Sequence, residues 1–179
     1  MPAIEQSLEA QGSGIYVDQP TGLASRRYLT MFLSREVNRS QRVSASMSVA
    51  VFDIDGYDKL EQDAGTNAVT IALADVGARL KSVLREYDLV ARYSPGRLAL
   101  VLPETDTRGS EEVINRLHEL ATSVCVNGHP LSVTVGIAAF PENGSTADEL
   151  INSAHRALNS GRSAAANTVY TLDRLKKAS

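Results

Sequence analysis

The sequence predicts an α/β fold, a central mixed sheet with helices packed against it, and two observations carry that prediction. Short apolar runs of strand length alternate with longer stretches whose apolar residues recur every three or four positions, and one pair of runs is joined by turn residues that make a hairpin. The 179 residues are enough for one domain with a full core.

The elements follow in order. Residues 1–17 lack periodicity and contain Gly12-Ser13-Gly14, which has the chemistry of a flexible joint, so a leader or stalk remnant over 1–17 is expected before a domain over 18–175. Ser25 is placed to cap a helix reaching about Arg42, with Tyr28, Leu29, Phe32, Leu33 and Val37 on its apolar face. Met47–Phe52 is an apolar run that suits a buried strand, and it delivers Asp53 to the edge of the sheet. Residues 67–84 give the clearest helix, with Val69, Ala72, Leu73, Val76, Leu80, Val83 and Leu84 on one stripe. Val90–Tyr93 and Leu98–Leu102 flank Ser94-Pro95-Gly96-Arg97, a hairpin by its turn chemistry. A helix over about 109–122, a strand over Ser132–Ala138, a helix over about 146–160 stopped at Ser160-Gly161, and a strand near Asn167–Tyr170 complete the pattern.

Composition narrows the function classes. The chain is 43% hydrophobic and 22% charged, as ordinary globular proteins are, and no apolar run approaches the ~20 residues that cross a bilayer. Its first residues lack the basic start and apolar stretch of a secretory signal, so a cytoplasmic location without membrane insertion is expected. A net charge of −3 gives no basic surface for nucleic acid, and an anionic ligand would need a local cluster. The single cysteine, Cys125, is expected as a small buried hydrophobe, and neither His118 nor His129 has metal-ligand spacing with it.

Five stretches then resemble one family in order and approximate spacing: Asp18-Gln19-Pro20-Thr21-Gly22-Leu23-Ala24-Ser25-Arg26-Arg27, Phe52-Asp53-Ile54-Asp55-Gly56-Tyr57, Ala91-Arg92-Tyr93, Val135-Gly136-Ile137 and Ser160-Gly161-Arg162. The chain is similar to GGDEF (diguanylate cyclase) domains. The resemblance implies a nucleotidyl cyclase-like fold, a five-stranded sheet surrounded by helices. It also implies a site in which carboxylates hold two Mg²⁺ ions and two GTP molecules are joined across a dimer.

Position by position, the resemblance implies a catalytic site that has decayed. Asp53, Ile54 and Asp55 match the metal-binding strand end, and are expected as vestiges. The name-giving turn aligns with Ser94, Pro95, Gly96, Arg97 and Leu98, so Gly96 replaces a ligating carboxylate and Arg97 puts a fixed cation beside Asp53 and Asp55. Pro95 has no N–H to offer a phosphate. Glu61 and Thr70 replace guanine-binding residues, and Leu158 stands for a phosphate-binding lysine whose arginine partner is Arg162. No catalysis and no Mg²⁺ requirement are expected.

A second site is implied in its place. Arg85-Glu86-Tyr87-Asp88 falls in the register of the Arg-x-x-Asp motif at which many members bind cyclic di-GMP and are inhibited, and Arg116 matches an arginine that completes it. The residue types suit the ligand: an arginine fork bonds guanine O6 and N7 together, and a carboxylate accepts from guanine N–H groups. The partners implied are cyclic di-GMP, singly or as a stacked dimer, an unidentified protein, and a second copy of the chain. Two alternatives stay open, a dimerisation or protein-interaction module that binds no nucleotide and a residual cyclase using Asp53 and Asp55.

Overall fold

The computed structural model of the protein describes residues 13–172. A helical turn, α1 (Ser13–Tyr16), leads into β1 (Val17–Asp18) and β2 (Leu23–Ala24), then α2 (Arg26–Val43) and β3 (Met47–Ile54). The chain continues through α3 (Tyr57–Ala64), α4 (Thr66–Val83), β4 (Leu89–Ser94), β5 (Arg97–Pro103) and α5 (Thr107–Thr122). The two-residue strands β6 (Cys125–Val126) and β7 (His129–Pro130), β8 (Val133–Phe140), α6 (Ala147–Ala164) and β9 (Val169–Thr171) follow.

The mixed sheet runs β1-β2-β4-β5-β3-β8-β9. The five-stranded centre from β4 to β9 is the one expected, and β1 and β2 extend it at one edge. β3 lies antiparallel to β5 on one side and to β8 on the other, and all eight of its residues are buried. Pleating sends alternate side chains to opposite faces. Phe52 and Ile54 join Leu73, Leu80 and Leu117 of α4 and α5, whereas Val49 and Val51 join Leu29, Leu33, Leu150 and Leu158 of α2 and α6. One sheet therefore serves two cores, with β3 shared by both.

Local chemistry explains the helix starts. Ser25 caps α2 by accepting from the Tyr28 N–H, Asp106 caps α5 through the Gly109 N–H, and Thr146 caps α6 through the Glu149 N–H. The opening signature is a turn: Asp18 accepts from the Thr21 N–H and hydroxyl, and the Gly22 N–H donates to the Asp18 carbonyl.

Four expectations are corrected. The packed chain reaches back before Asp18, because the Ser25 hydroxyl donates to the Ile15 carbonyl and the Ser25 N–H to that of Tyr16; residues 1–12 of the expected leader and 173–175 lie outside the described residues. Gly161 does not stop its helix. It is buried within α6, where an added Cβ would lie 2.0 Å from the Tyr170 ring, so the glycine is there for close packing against β9. Cys125 is exposed, on a small hairpin whose Asn127 and Gly128 have φ of 52° and 81°; Asn-Gly at this point was a hairpin signal. The helix α3 was not among the expected elements, because eight residues with no buried side chain give little apolar period.

Candidate functional site

The acidic end of β3 is bracketed by guanidinium groups. In the sheet register Asp53 lies opposite Arg97 of β5 and opposite Thr134 of β8, and residues so opposed share a face. Arg97 Nε stands 3.0 Å from Asp53 Oδ2, and a terminal nitrogen of Arg162, reaching in from α6, stands 3.0 Å from the same oxygen. Neither N–H is aligned as a hydrogen bond to that oxygen, so the contact is one of charges. The Asp53 side chain is 5% exposed and those of Arg97 and Arg162 are 34% and 39%, which places a buried anion beneath two half-exposed cations.

Asp55 is occupied differently. Its carboxylate accepts from the Ser132 hydroxyl at 2.7 Å, from the Thr134 hydroxyl at 2.8 Å and from the Asn167 N–H at 3.0 Å, with Arg162 Nε 3.4 Å away. These bonds tie the end of β3 to β8 and to the loop before β9. Arg97 thus answers Asp53, whereas the cation of Asp55 is Arg162.

The hairpin tip is closed from below. Pro95, with its fixed negative φ, and Gly96, at φ 71°, supply the pair of conformations a type II turn requires, and a register shift between Arg92 and Ser94 accommodates it. The Gly96 carbonyl accepts from the Ile54 N–H at 2.9 Å, pinning the turn to the strand end. A Cβ on Gly96 would meet the Tyr57 ring at 2.5 Å, and the Tyr57 hydroxyl donates to Glu61 at 2.9 Å. Leu98 is buried in the core.

Three further residues meet at this end. The Arg26 guanidinium lies 4.9 Å from the centre of the Tyr93 ring, and Tyr93 packs against His155 with ring centres 5.2 Å apart. Burial holds the His155 imidazole below its ordinary range, Arg97 and Arg26 add to that, and Asp53 opposes it. Arg26 and Tyr93 sat inside the quoted motifs; their meeting depends on β2 lying parallel beside β4, which no local spacing announces. Leu158, aligned with a phosphate-binding lysine, is buried in the core, and Arg162 one turn later is the cation that α6 brings to the acids.

A divalent cation wants several anionic oxygens free to converge on it. Here Asp53 faces two guanidiniums, Asp55 is saturated by hydroxyl and backbone donors, and Gly96 offers no side chain. Among the described residues no three His, Cys, Asp or Glu side chains gather in a way that could hold a metal ion. The residues present do not fit the Mg²⁺ ions that the family chemistry uses.

The other expected site lies on the stretch joining α4 to β4. The Arg85 N–H donates to Asp88 Oδ2 at 2.8 Å, and the exposed Arg85 guanidinium stands 5.9 Å from the centre of the Tyr87 ring. Asp88 Oδ1 is buried and has no hydrogen-bond donor among the described residues. Burial raises the Asp88 carboxyl above its usual value, against the lowering effect of Arg85. Arg116 is exposed on α5, a helix packed beside α4, and its guanidinium makes no hydrogen bond or ion pair with Asp88 among the described residues.

Comparison with known proteins agrees with this architecture. A family model described as "Diguanylate cyclase, GGDEF domain" matches residues 15–168. The chain is 32% identical over 146 residues to the diguanylate cyclase DgcP of Pseudomonas aeruginosa, covering 79% of this chain and 22% of that one. The diguanylate cyclase SiaD of the same organism, solved in complex with its activator SiaC, superposes with a TM-score of 0.83 at 25% identity, over 94% of this chain and 66% of that one. The GGDEF domain of DgcB from Caulobacter crescentus, solved in complex with c-di-GMP, superposes at 0.79 and 18% identity, over 87% and 92% of the two chains, and supports the fold alone. No helix among the described residues is long and apolar enough to cross a membrane.

Proposed function

The chain belongs to the GGDEF family, and from that membership we propose that it is a catalytically silent domain that binds cyclic di-GMP at Arg85, Asp88 and Arg116, and regulates a partner protein through the liganded surface. The observation that carries this reading is the contrast between the two sites. At the catalytic end the acids are already neutralised by Arg97, Arg162 and hydroxyl donors. At the Arg85 turn a guanidinium is exposed and one Asp88 oxygen lacks a donor among the described residues.

The chemistry follows from these residues. The Arg85 fork supplies paired donors for guanine O6 and N7, and Asp88 supplies an acceptor for a guanine N–H. Arg116, on the neighbouring helix, adds charge for a phosphate. The complex of DgcB with c-di-GMP supports ligand binding on this fold, and that of SiaD with its activator supports a protein partner. The domain is proposed to work in the cytoplasm without Mg²⁺. The chain spans 22% of the length of DgcP.

The test is calorimetric titration with cyclic di-GMP of the wild-type protein and of Arg85→Ala, beside GTP with Mg²⁺. Saturable binding to the wild type, weakened about tenfold or more in the variant, is expected, since the loss of one charged bidentate contact is worth about 1–3 kcal/mol. About two ligands per chain would indicate the stacked dimer. Absence of binding to the wild type would leave the nucleotide-independent interaction module, and GTP turnover abolished by Asp53→Ala would establish the residual cyclase.

A further inference from the structure

We propose that the acidic end of β3 is a cation site filled from within the chain, in which Arg97, beside Arg162, takes the place of a divalent ion and keeps such an ion out. The inference rests on the geometry around Asp53 and is independent of cyclic di-GMP binding.

Three features argue for it. Asp53 is buried, and a buried carboxylate requires a compensating cation. Arg97 supplies one from the residue directly opposite in the sheet, so its position is set by backbone register rather than by a flexible loop. The Asp53 oxygen it faces, Oδ2, is approached at 3.0 Å by a second guanidinium, so this oxygen collects two positive charges from two different elements. Such an arrangement reproduces the charge of a divalent ion with none of its coordination. Asp55, held by Ser132, Thr134 and the Asn167 backbone, stays oriented whether or not a cation is present.

The consequence is a latent metal site. Replacing Arg97 with glutamate removes one of the two internal cations and sets a third carboxylate beside Asp53 and Asp55, on a strand position that already tolerates a long side chain. Position 96 cannot serve the same purpose, because a side chain there strikes the Tyr57 ring. Calcium and magnesium sites gain affinity with the number of anionic ligands they collect.

The experiment is Mn²⁺ binding, followed by the electron paramagnetic resonance of the free ion and by thermal unfolding, in the wild type, Arg97→Glu, Arg97→Gln and Arg97→Glu/Asp53→Asn. The wild type is expected to show no saturable binding and no shift of its melting temperature with Mn²⁺. Arg97→Glu is expected to bind one ion per chain at least on the order of tenfold more tightly than the wild type, with a rise in melting temperature that disappears when Asp53 is also changed. Circular dichroism establishes that the variants fold. If charge reversal prevents folding, Arg97→Gln takes its place and is expected to bind measurably. Wild-type binding that depends on Asp53 would overturn the proposal, and so would folded Arg97→Glu or Arg97→Gln that binds no better than the wild type.

Discussion

Asp53 shows how one residue is held by two others. Its carboxylate is buried, so removing it leaves Arg97 and Arg162 facing each other at the sheet end, whereas removing either arginine leaves the other in place. Asp53→Ala should therefore cost about 1–3 kcal/mol, less than a fully buried pair because both guanidiniums reach solvent, and Arg97→Gln should cost less than Asp53→Ala. Urea midpoints of the three proteins at neutral pH would check the order. His155 carries a pH prediction. Its imidazole is held below the ordinary value by burial and by Arg97 and Arg26, with Asp53 opposing. The folded value lies below the unfolded one, so below about pH 6.5 the unfolded chain takes up the proton first and stability falls as the pH falls. Urea unfolding at pH 7.5 and 5.5 should show a smaller acid loss in His155→Gln than in the wild type. Residue roles were partly legible in the sequence. Arg97 as a counter-ion follows from its alignment beside Asp53, whereas the clamp on Asp55 draws on Ser132, Thr134 and Asn167, which only tertiary structure assembles.

At the scale of elements, strong periodicity was enough. The stripe in α4 and the apolar run of β3 are each visible in the chain alone, and Ser25 marks where α2 starts because its hydroxyl is chemically suited to the cap. What escaped was glycine used for contact instead of for turning. Gly161 looks like a terminator, yet a Cβ there would strike Tyr170, and Gly136 on β8 allows α6 so close that a Cβ would lie 2.1 Å from the Ala154 carbonyl. The sequence shows a glycine in both cases; the partner that excludes a side chain is supplied by another element. Gly136→Ala should cost about 3 kcal/mol or more, because the obstacle is helix backbone that cannot swing aside. Gly161→Ala should cost less, about 1–3 kcal/mol, since the Tyr170 ring can shift. Thermal or urea unfolding of both variants would test the ranking.

For the whole molecule, the shared strand makes the two cores interdependent. Because β3 contributes side chains to both, opening either face disturbs the other, and unfolding should be a single transition. Hydrogen exchange offers the local counterpart: amides of Val49–Phe52 should exchange only through global unfolding, whereas those of β1, β2 and the β6–β7 hairpin, short and peripheral, should exchange orders of magnitude faster. The fold was legible because alternating strand and helix periods leave few arrangements for a sheet of this size. The pairing of β2 with β4 was not, since two residues leave no pattern.

The Tyr57 ring beneath Gly96 decides what position 96 can accept. A carboxylate introduced at position 96 would meet that ring and would also need a backbone conformation that favours glycine, so the change is unfavourable while Tyr57 remains. Shrinking Tyr57 first would leave a gap under the turn and strand Glu61 without its hydroxyl donor. Each single substitution disturbs the packing under the turn, so a carboxylate is accommodated at position 96 only together with a change at Tyr57.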